Sequence, residues 1–368
     1  MMRAELEPLG FTVRWVDMAE TGRAGHLVAT HPGRGRNVLL IAHLDTVFEA
    51  DSPFQRFERE GNRATGPGIG DDKGGMVVIV AALRAMRAAG TLRDANITIV
   101  LTGDEERTGS PIAVARRDLI AAGRLADYAL EFENLVSVDG VDYGSVARRS
   151  STNWTIVARG RTGHSSGVCG QFMGCGAIYE LARILDAFRR ELPEPNLTYN
   201  VGVMAGGTPA TLDADGFRTS AAGKTNVVAE TAIARGDLRS LTPEQDARAR
   251  ARMQAIVAQH LPHTGAEISF DEDAYPPMAP TEGNRALLAR LNAVNRDLGL
   301  AEMPEYDPAR RGAADSSFVA RDVDTLAGLG ASGGSSHAEG EWVDLGSLPR
   351  QAKRAAILIT RLTRERRR

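Results

Sequence analysis

The sequence contains very little cysteine. Only Cys169 and Cys175 are found among its 368 residues, so a small fold held together by several disulfides is excluded. A bridge between these two residues would close a short loop and would add little to stability. The thiols therefore do not indicate the compartment in which the protein works.

Aromatic residues, excess charge of one sign and long hydrophobic runs are also scarce. Aromatic residues make up 5% of the chain, which argues against a surface on which single-stranded nucleic acid would stack. The 44 basic and 47 acidic residues nearly cancel, to a net charge of -3, and this balance calls for neither nucleic acid nor an anionic membrane as a partner. No apolar run approaches the ~18 residues of a membrane-spanning helix.

The N-terminal segment shows no secretory signal, because Arg3, Glu5 and Glu7 interrupt any apolar stretch. The localisation stays open. We expect a cytoplasmic protein if this N-terminus is native, and a periplasmic or secreted one if a signal segment was removed.

The composition that remains is that of a globular protein, with 43% hydrophobic and 25% charged residues, and the length favours two domains. Between residues 37 and 134 apolar strands alternate with amphipathic helices. Strands are predicted at 37–42, 96–102 and 127–132, and helices at 73–89 and 111–122. This order predicts an α/β fold with a mainly parallel or mixed sheet and helices on both faces.

The pattern changes near residue 151. Strands predicted at 152–159, 196–205 and 225–238 alternate apolar and polar residues, as expected of a sheet with one solvated face, and helices are predicted at 170–190 and 243–259. Helix and short buried segments return after about residue 283 and end with a helix at 346–364. The sequence thus predicts one domain from residues 1–150 and 273–368, interrupted at 151–272 by an inserted α+β domain with an open antiparallel sheet.

The first chemically informative pair follows the first buried strand. His43 and Asp45 are two residues apart, so on an extended chain their side chains point to the same side. The carboxylate could then accept a hydrogen bond from the imidazole and fix its tautomer, as happens for metal-bound histidines. A strand-end histidine with only a local hydrogen bond explains this pair alone equally well.

Acidic residues follow the next turn and the next strand. Asp71 and Asp72 leave a glycine-rich turn, where a carboxylate could bridge two cations or simply cap the following helix. The spacing does not match a phosphate-binding loop, and paired acids would repel phosphate. Glu105 and Glu106 follow the second strand, and adjacent like charges repel each other unless cations or solvent intervene.

Further candidates lie at the third strand and late in the chain. Glu131 and Glu133 flank the end of that strand, and His337 lies in a loop of small residues. Because the carboxyl ends of parallel strands form the binding crevice of an open sheet, we expect these side chains to converge. Mixed histidine and carboxylate ligands suit zinc or a similar divalent ion, and two ions sharing a carboxylate are typical of hydrolytic sites.

These segments resemble the signature of the co-catalytic zinc exopeptidases and amidohydrolases, which include glutamate carboxypeptidase, aminoacylase and succinyl-diaminopimelate desuccinylase. HLDTV, GPGIGDDKGG, GDEER, the FE of residues 132–133 and the isolated late histidine match it in order and in spacing. In the inserted domain, RGRTGHSSG, TNVVAE and GDLRS resemble the family's histidine turn, its asparagine-bearing strand and its substrate-arginine strand.

The resemblance implies a ligand set for two zinc ions, which cobalt or manganese could replace. His43 and Glu133 would hold one ion, Glu106 and His337 would hold the other, and Asp71 would bridge them. The domain formed by residues 1–150 and 273–368 would then be the catalytic, zinc-binding one.

The resemblance also implies roles for residues that do not bind metal. Asp45 would orient its neighbouring histidine, and Glu105 would be the general base. The inserted domain would act as a lid and dimerisation domain and would form a homodimer. From that domain His164 would stabilise the oxyanion in a neighbouring subunit's site, and Asn226 and Arg239 would bind the substrate's free carboxylate.

The implied function is cleavage of an amide or peptide bond beside a free carboxylate, in a small peptide or an N-acyl amino acid. Glutamate at position 133 resembles the carboxypeptidase and acylase branch more than the dipeptidase branch. The segment around Tyr275 lacks the basic residue expected of a glutamate pocket, although Arg310 or Arg311 could supply one. Dipeptidase or desuccinylase specificity is an alternative. A catalytically silent binding or assembly protein is another, but it would require the loss of a metal ligand or of the general base, and none of these residues is missing. A serine hydrolase is disfavoured because no GxSxG elbow is present.

The other histidines lie in polar stretches of sequence. We interpret His26, His31, His260 and His263 as surface residues.

Overall fold

The computed structural model describes residues 1–365. Its α-helices are α1 (Met2–Leu6), α2 (Gly75–Ala88), α3 (Ile112–Ala115), α4 (Arg117–Leu125), α5 (Ala177–Glu191), α6 (Pro243–Val257), α7 (Glu282–Asp297) and α8 (Ser347–Arg364). Its strands are β1 (Thr12–Val16), β2 (His26–His31), β3 (Asn37–His43), β4 (Glu58–Glu60), β5 (Arg63–Thr65), β6 (Asn96–Thr102), β7 (Tyr128–Glu131), β8 (Val136–Val138), β9 (Val141–Tyr143), β10 (Thr152–Gly160), β11 (Thr198–Gly207), β12 (Ala210–Leu212), β13 (Thr219–Ala221), β14 (Thr231–Arg239), β15 (Thr264–Phe270), β16 (Thr325–Leu326), β17 (Gly333–Gly334) and β18 (Trp342–Asp344).

The chain divides into two compact units. The first comprises Met1–Arg148 and the chain from Met278 onward, and the second is Arg149–Pro277. The second unit is therefore inserted between two parts of the first.

The first unit is built on a mixed six-stranded sheet with the strand order β1-β2-β6-β3-β7-β16. The central strand β3 runs parallel to β6 and to β7, whereas β1 and β2 are antiparallel to their neighbours. Every residue of β3 is buried, which accounts for its unbroken apolar sequence. His43 pairs with Thr102 in the register, so the segments that follow β3 and β6 leave the sheet at the same edge.

Helices cover both faces of this sheet. On one face α2, α7 and α8 form a core that includes Leu40, and on the other face Leu119 of α4 packs with Leu39 and Ile41. Alternate residues of β3 thus belong to two different cores, as expected of a strand inside a covered sheet. The predicted α/β class is confirmed. No helix within residues 1–365 combines the length and the apolar character needed to cross a membrane.

A smaller sheet supports two loops of the first unit. Its strand order is β17-β18-β5-β4, and Trp342 of β18 pairs with Thr65 of β5. The loop between β17 and β18 contains His337, and the turn that follows β5 contains Asp71. This sheet therefore holds together two segments that are far apart in the sequence.

The second unit is an antiparallel sheet with the order β11-β14-β10-β15, together with α5 and α6. Trp154, Ile156 and Ala158 of β10 are buried and alternate with more exposed residues. They pack with apolar residues of both helices, such as Ile184 and Met253. The predicted open antiparallel sheet with one covered face is confirmed.

The helix predicted at 111–122 is wrong in its continuity and its end. The structure has α3 and α4, separated at Arg116, whose backbone is not helical (φ -106°, ψ 5°) and whose side chain enters a buried ion-pair network. The second helix continues to Leu125. Gly123 is not a helix terminator but a packing residue, since a Cβ there would lie 2.5 Å from Val319 Cγ1.

Two boundaries in the second unit also differ from the prediction. The helix predicted at 170–190 begins only at Ala177, because Gly174 and Gly176 have positive φ and a disulfide joins Cys169 to Cys175. The strand predicted at 225–238 begins only at Thr231. The residues before it form a turn in which Val227 N–H donates to Lys224 O.

Two of the four histidines predicted at the surface are buried. His26 is fully buried, with Nε2 2.8 Å from Ala115 O and Nδ1 accepting the Gly103 N–H. His31 Nδ1 lies 2.8 Å from Ala95 O. Backbone groups satisfy these rings, a role that their polar sequence neighbours do not reveal.

Candidate metal centre

Asp71 lies between two histidines that the sheet edge brings together. Its Oδ1 is 2.9 Å from His43 Nε2, and its Oδ2 is 3.3 Å from His337 Nε2. His43 ends β3, and Asp71 lies in the turn before α2, where it is joined to Asp72 by a cis peptide bond. A carboxylate with one oxygen on each imidazole has the arrangement of a bridging ligand.

Glu106 completes the side of the site that contains His337. Its Oε2 is 3.1 Å from His337 Nε2, and its other side-chain oxygen, Oε1, is buried without a hydrogen-bond partner among residues 1–365. Donor atoms of His43, Asp71 and Glu106 lie within 4.8 Å of one another. A buried carboxylate oxygen with no donor is costly unless a cation is bound near it.

Glu105 and Glu133 lie on the other side of His43. Donor atoms of these three residues also lie within 4.8 Å of one another. Both glutamates are partly buried, so two like charges would lie close together in a partly desolvated site.

Asp45 connects the ends of two strands. Its Oδ1 is 3.4 Å from His43 Nδ1, and its two carboxylate oxygens accept the backbone N–H groups of Glu105 and Glu106 at 3.1 and 3.0 Å. The same carboxylate thus contacts the histidine and fixes the loop that carries both glutamates.

Sequence reasoning did not find Arg148, which is buried beside Glu133. Its Nη2 donates to Glu133 Oε2 at 2.6 Å and to Glu131 Oε2 at 2.5 Å, and its Nη1 donates to Gly312 O at 3.2 Å. The tandem arginines at 148–149 carry no sequence signal for this role, because the partners come from separate segments. Arg311 also lies here, with Nη2 2.8 Å from Asn134 O and 4.0 Å from Glu133 Oε2.

Two further residues that sequence reasoning missed hold the loops of the site. Glu341 accepts three backbone N–H groups of the turn that contains Asp71. Arg116 is fully buried and pairs with Asp104 at 2.5 Å and with Asp315 at 2.7 Å, next to the loop of Glu105. The only signal for Glu341 was its position four residues after His337.

Burial and crowding disturb the ionisation of the carboxyl groups. Burial raises the pKa of Glu105 well above its ordinary value, and the charge of Glu133 raises it further. Burial also raises the pKa of Glu133 to about 7, although the guanidinium of Arg148 opposes this. Burial would raise the pKa of Asp71 as well, but hydrogen bonds from His337 and His43 hold it far below its usual value.

Both imidazoles favour the protonated form in this arrangement. Hydrogen bonds to Asp71 and Glu106 raise the pKa of His337 to about 10. Burial disfavours a charged His43, but hydrogen bonds with Asp45 and Asp71 outweigh it, and the pKa of this histidine is raised well above its ordinary value. The cluster therefore attracts positive charge, which protons supply here and which a divalent cation would supply more strongly.

The donor set fits divalent cations. Imidazole nitrogens and carboxylate oxygens are zinc ligands, and they form two groups that share His43. The residues that could hold ions are His43, Asp71, Glu105, Glu106, Glu133 and His337.

The remaining predicted site residues belong to the second unit. His164 Nδ1 accepts the Ser166 N–H at 3.2 Å, and Ser165 N–H donates to Asn226 O at 2.9 Å, so the turn of His164 and the segment of Asn226 lie side by side. Arg239 ends β14, and its Nε donates to Asp237 Oδ2 at 2.8 Å. The roles of these three residues stay predictions.

Comparisons with known proteins identify the family and the fold. The sequence model of "Peptidase family M20/M25/M40" matches residues 39–361. Carboxypeptidase G2 of Pseudomonas sp. (strain RS-16) is 28% identical over 368 residues, covering 97% of this chain and 82% of that protein. Succinyl-diaminopimelate desuccinylase of Gluconobacter oxydans (strain 621H) is 26% identical over 326 residues, covering 86% and 79%.

A solved structure shares the fold. The crystal structure of aminopeptidase PepT from Bacillus cereus has a TM-score of 0.75 at 19% identity, covering 98% of this chain and 91% of that one. The family resemblance predicted from the sequence is confirmed. The family match spans most of the chain, and the protein therefore belongs to Peptidase family M20/M25/M40, a family of metal-dependent hydrolases.

Proposed function

We propose that the protein is a di-zinc carboxypeptidase or N-acyl-amino-acid amidohydrolase that cleaves an amide bond beside a free carboxylate. The observation that carries this proposal is Asp71, with one carboxylate oxygen on His43 and the other on His337. Small peptides and N-acyl amino acids are the proposed substrates. The carboxypeptidase G2 relative supports this substrate class.

In the proposed centre His43 and Glu133 would hold one zinc, Glu106 and His337 would hold the other, and Asp71 would be shared by both. When bound, the ions supply Lewis-acid polarisation of the scissile carbonyl and lower the pKa of water. Cobalt or manganese could replace zinc, since the same nitrogen and oxygen donors suit them. Asp45 keeps His43 in the orientation that directs Nε2 toward the centre.

Glu105 is the proposed general base. Its donor atom lies within 4.8 Å of those of His43 and Glu133, and burial raises its pKa well above the ordinary value, which makes its carboxylate a stronger proton acceptor. In the proposed reaction Glu105 takes a proton from the attacking water and later donates it to the nitrogen of the leaving amine. Its backbone N–H is held by Asp45, which limits movement of the loop.

The second unit is proposed to act as the lid and dimerisation domain. His164 would stabilise the oxyanion, and Asn226 and Arg239 would bind the substrate carboxylate, the arginine through paired hydrogen bonds. Exposed apolar side chains on this unit support a contact with a second copy. They include Phe172 and Tyr179.

Arg311 is the proposed basic residue for a substrate acid group. It lies 4.0 Å from Glu133 Oε2, whereas the Arg310 guanidinium stacks 5.5 Å from the centre of the Tyr306 ring. Because Arg311 lies beside a proposed metal ligand, it is the arginine proposed to pair with an acidic side chain or acyl group of the substrate.

A panel of N-acyl amino acids and dipeptides, offered to zinc-loaded protein with and without chelator, tests the proposal. We expect turnover that a chelator abolishes and zinc restores. Desuccinylase specificity is the second candidate, because the Gluconobacter relative has that name, and N-succinylated amino acids in the panel test it. Chelator-independent turnover would contradict both, and a protein that binds zinc without any turnover would favour the silent binding or assembly protein.

A further inference from the structure

We propose that Glu341 is a positioning residue that fixes the turn carrying Asp71 and so sets the geometry of the metal centre. This inference rests on the proposed metal-dependent function. Glu341 is not among the proposed metal ligands, and it acts on them through backbone hydrogen bonds.

The carboxylate of Glu341 is almost fully buried, with 1% of the residue exposed. Its Oε2 accepts the N–H of Gly68 at 2.8 Å, and its Oε1 accepts the N–H groups of Gly70 and Asp71, each at 2.8 Å. A carboxylate that accepts several N–H groups in a buried site orients that backbone strongly. Here one of the three N–H groups belongs to the proposed bridging ligand itself.

The backbone of Glu341 joins the same two loops. Its carbonyl oxygen accepts the Gly66 N–H at 3.1 Å, and its N–H donates to Ala338 O at 3.1 Å, next to His337. The following residue, Trp342, pairs with Thr65 at the start of the Asp71 turn. Glu341 thus lies where the loop of His337 meets the turn of Asp71. Its side chain and the Asp71 N–H are in contact although the two residues are 270 positions apart in the sequence.

The local packing shows that this contact is close. A Cβ added to Gly70 would lie 3.2 Å from Glu341 Oε1 and 3.2 Å from Asn134 Oδ1, so the absence of a side chain at this position allows the approach.

Within residues 1–365 no arginine or lysine forms an ion pair with Glu341. The negative charge of this carboxylate is therefore stabilised by peptide N–H groups rather than by a basic side chain.

Loss of the carboxylate would deprive two buried N–H groups, those of Gly68 and Gly70, and the partly buried N–H of Asp71 of their acceptor. The turn would then move to find other partners, and the two oxygens of Asp71 would no longer face His43 and His337 together. Because Asp71 is shared, the affinity for both ions should fall. Residues that orient metal ligands in this way typically contribute 10–100-fold to metal affinity.

The test compares zinc affinity, by competition with a chromophoric chelator, in wild-type protein and in Glu341→Gln. We expect a loss of about 10–100-fold in Glu341→Gln. Glu341→Asp keeps the charge but shortens the reach, so it should show a smaller loss, and it serves as the test if Glu341→Gln does not fold. Glu339→Gln is the matched control, because Glu339 is exposed in the same loop. The zinc affinity of this variant should equal that of wild type.

The melting temperature of the metal-free protein separates positioning from general stability. If the Glu341 variants melt earlier but their folded fraction binds zinc with wild-type affinity, the positioning role is overturned while the metal centre stands. If wild-type protein itself binds no zinc, the metal centre is overturned and this role with it.

Discussion

Arg148 donates from one guanidinium nitrogen to Glu133 at 2.6 Å and to Glu131 at 2.5 Å. This buried cation neutralises part of the negative charge at the proposed zinc ligand. Arg148 is the last residue of the first part of the first unit. Its hydrogen bonds connect Glu131 of the central sheet, Glu133 of the metal centre and the loop of Gly312.

Replacing Arg148 by Met should destabilise the metal-free protein by about 3–5 kcal/mol, because two buried carboxylates lose their partner. Zinc should restore more stability to Arg148→Met than to wild type, since the ion would supply the positive charge that Glu133 has lost. Urea unfolding with and without zinc measures both effects. Arg321→Met, at an exposed position, should change stability by less than about 0.5 kcal/mol. Equal stabilisation by zinc in wild type and Arg148→Met would contradict this account.

Replacing Glu105 by Gln should lower kcat by about 10²–10⁴-fold, the usual contribution of a general base, while zinc content stays unchanged. The amide keeps the shape but cannot accept the proton from water. Steady-state kinetics together with metal analysis checks this, with Glu339→Gln as the control. Retained hydrolysis at intact zinc content would remove Glu105 from the mechanism.

Stability of the metal-free protein should fall as the pH rises from about 5 to about 10. The folded-state pKa of Glu133 is raised to about 7 from 4.5, and that of His337 to about 10 from 6.5. In both windows the folded protein therefore holds more protons than the unfolded chain, and stability decreases with pH. Urea unfolding at pH 6 and pH 9 measures the slope.

The variant His337→Gln measures how much His337 contributes to the decrease of the free energy of unfolding with pH. His337→Gln should show a smaller loss of stability between pH 7 and pH 9 than wild type. Identical slopes for the two proteins over that window would show that His337 is not held by Asp71 and Glu106 in solution.

Replacing Arg116 by Met should destabilise the protein by about 3–5 kcal/mol, because Asp104 and Asp315 would be left as buried charges without their partner. Arg117→Met is the matched control, since the neighbouring side chain is mostly exposed, and it should cost less than about 0.5 kcal/mol. Thermal unfolding checks both. A near-neutral effect of Arg116→Met would contradict the packing described for this network.

Some residues of the site could be predicted from the sequence because they lie at the ends of apolar strands. His43 ends one strand and Glu133 follows another, and the apolar runs of both strands are easy to recognise, so the sequence could predict this edge of the sheet. Arg148, Arg116 and Glu341 could not be predicted, because each acts through contacts with distant segments and its own neighbours in the sequence show no pattern.

The errors in the fold have a similar origin. The predicted helix at 170–190 starts late because the backbone at Gly174 and Gly176 has positive φ, and local propensity cannot show which glycines will adopt it. His26 was interpreted as a surface residue, but its partners Ala115 and Gly103 lie far from it in sequence. The periodicity of a strand shows which face is buried, but not which polar group a buried ring will contact.

A di-zinc hydrolase is tested by stepwise addition of zinc to metal-free protein, with bound metal and hydrolysis of a panel of N-acyl amino acids and dipeptides both measured. We expect two zinc ions per chain and turnover that appears as they bind. His43→Ala and His337→Ala should each weaken this binding. Turnover without metal, or a protein that binds no zinc at the concentrations tested, would contradict a di-zinc hydrolase.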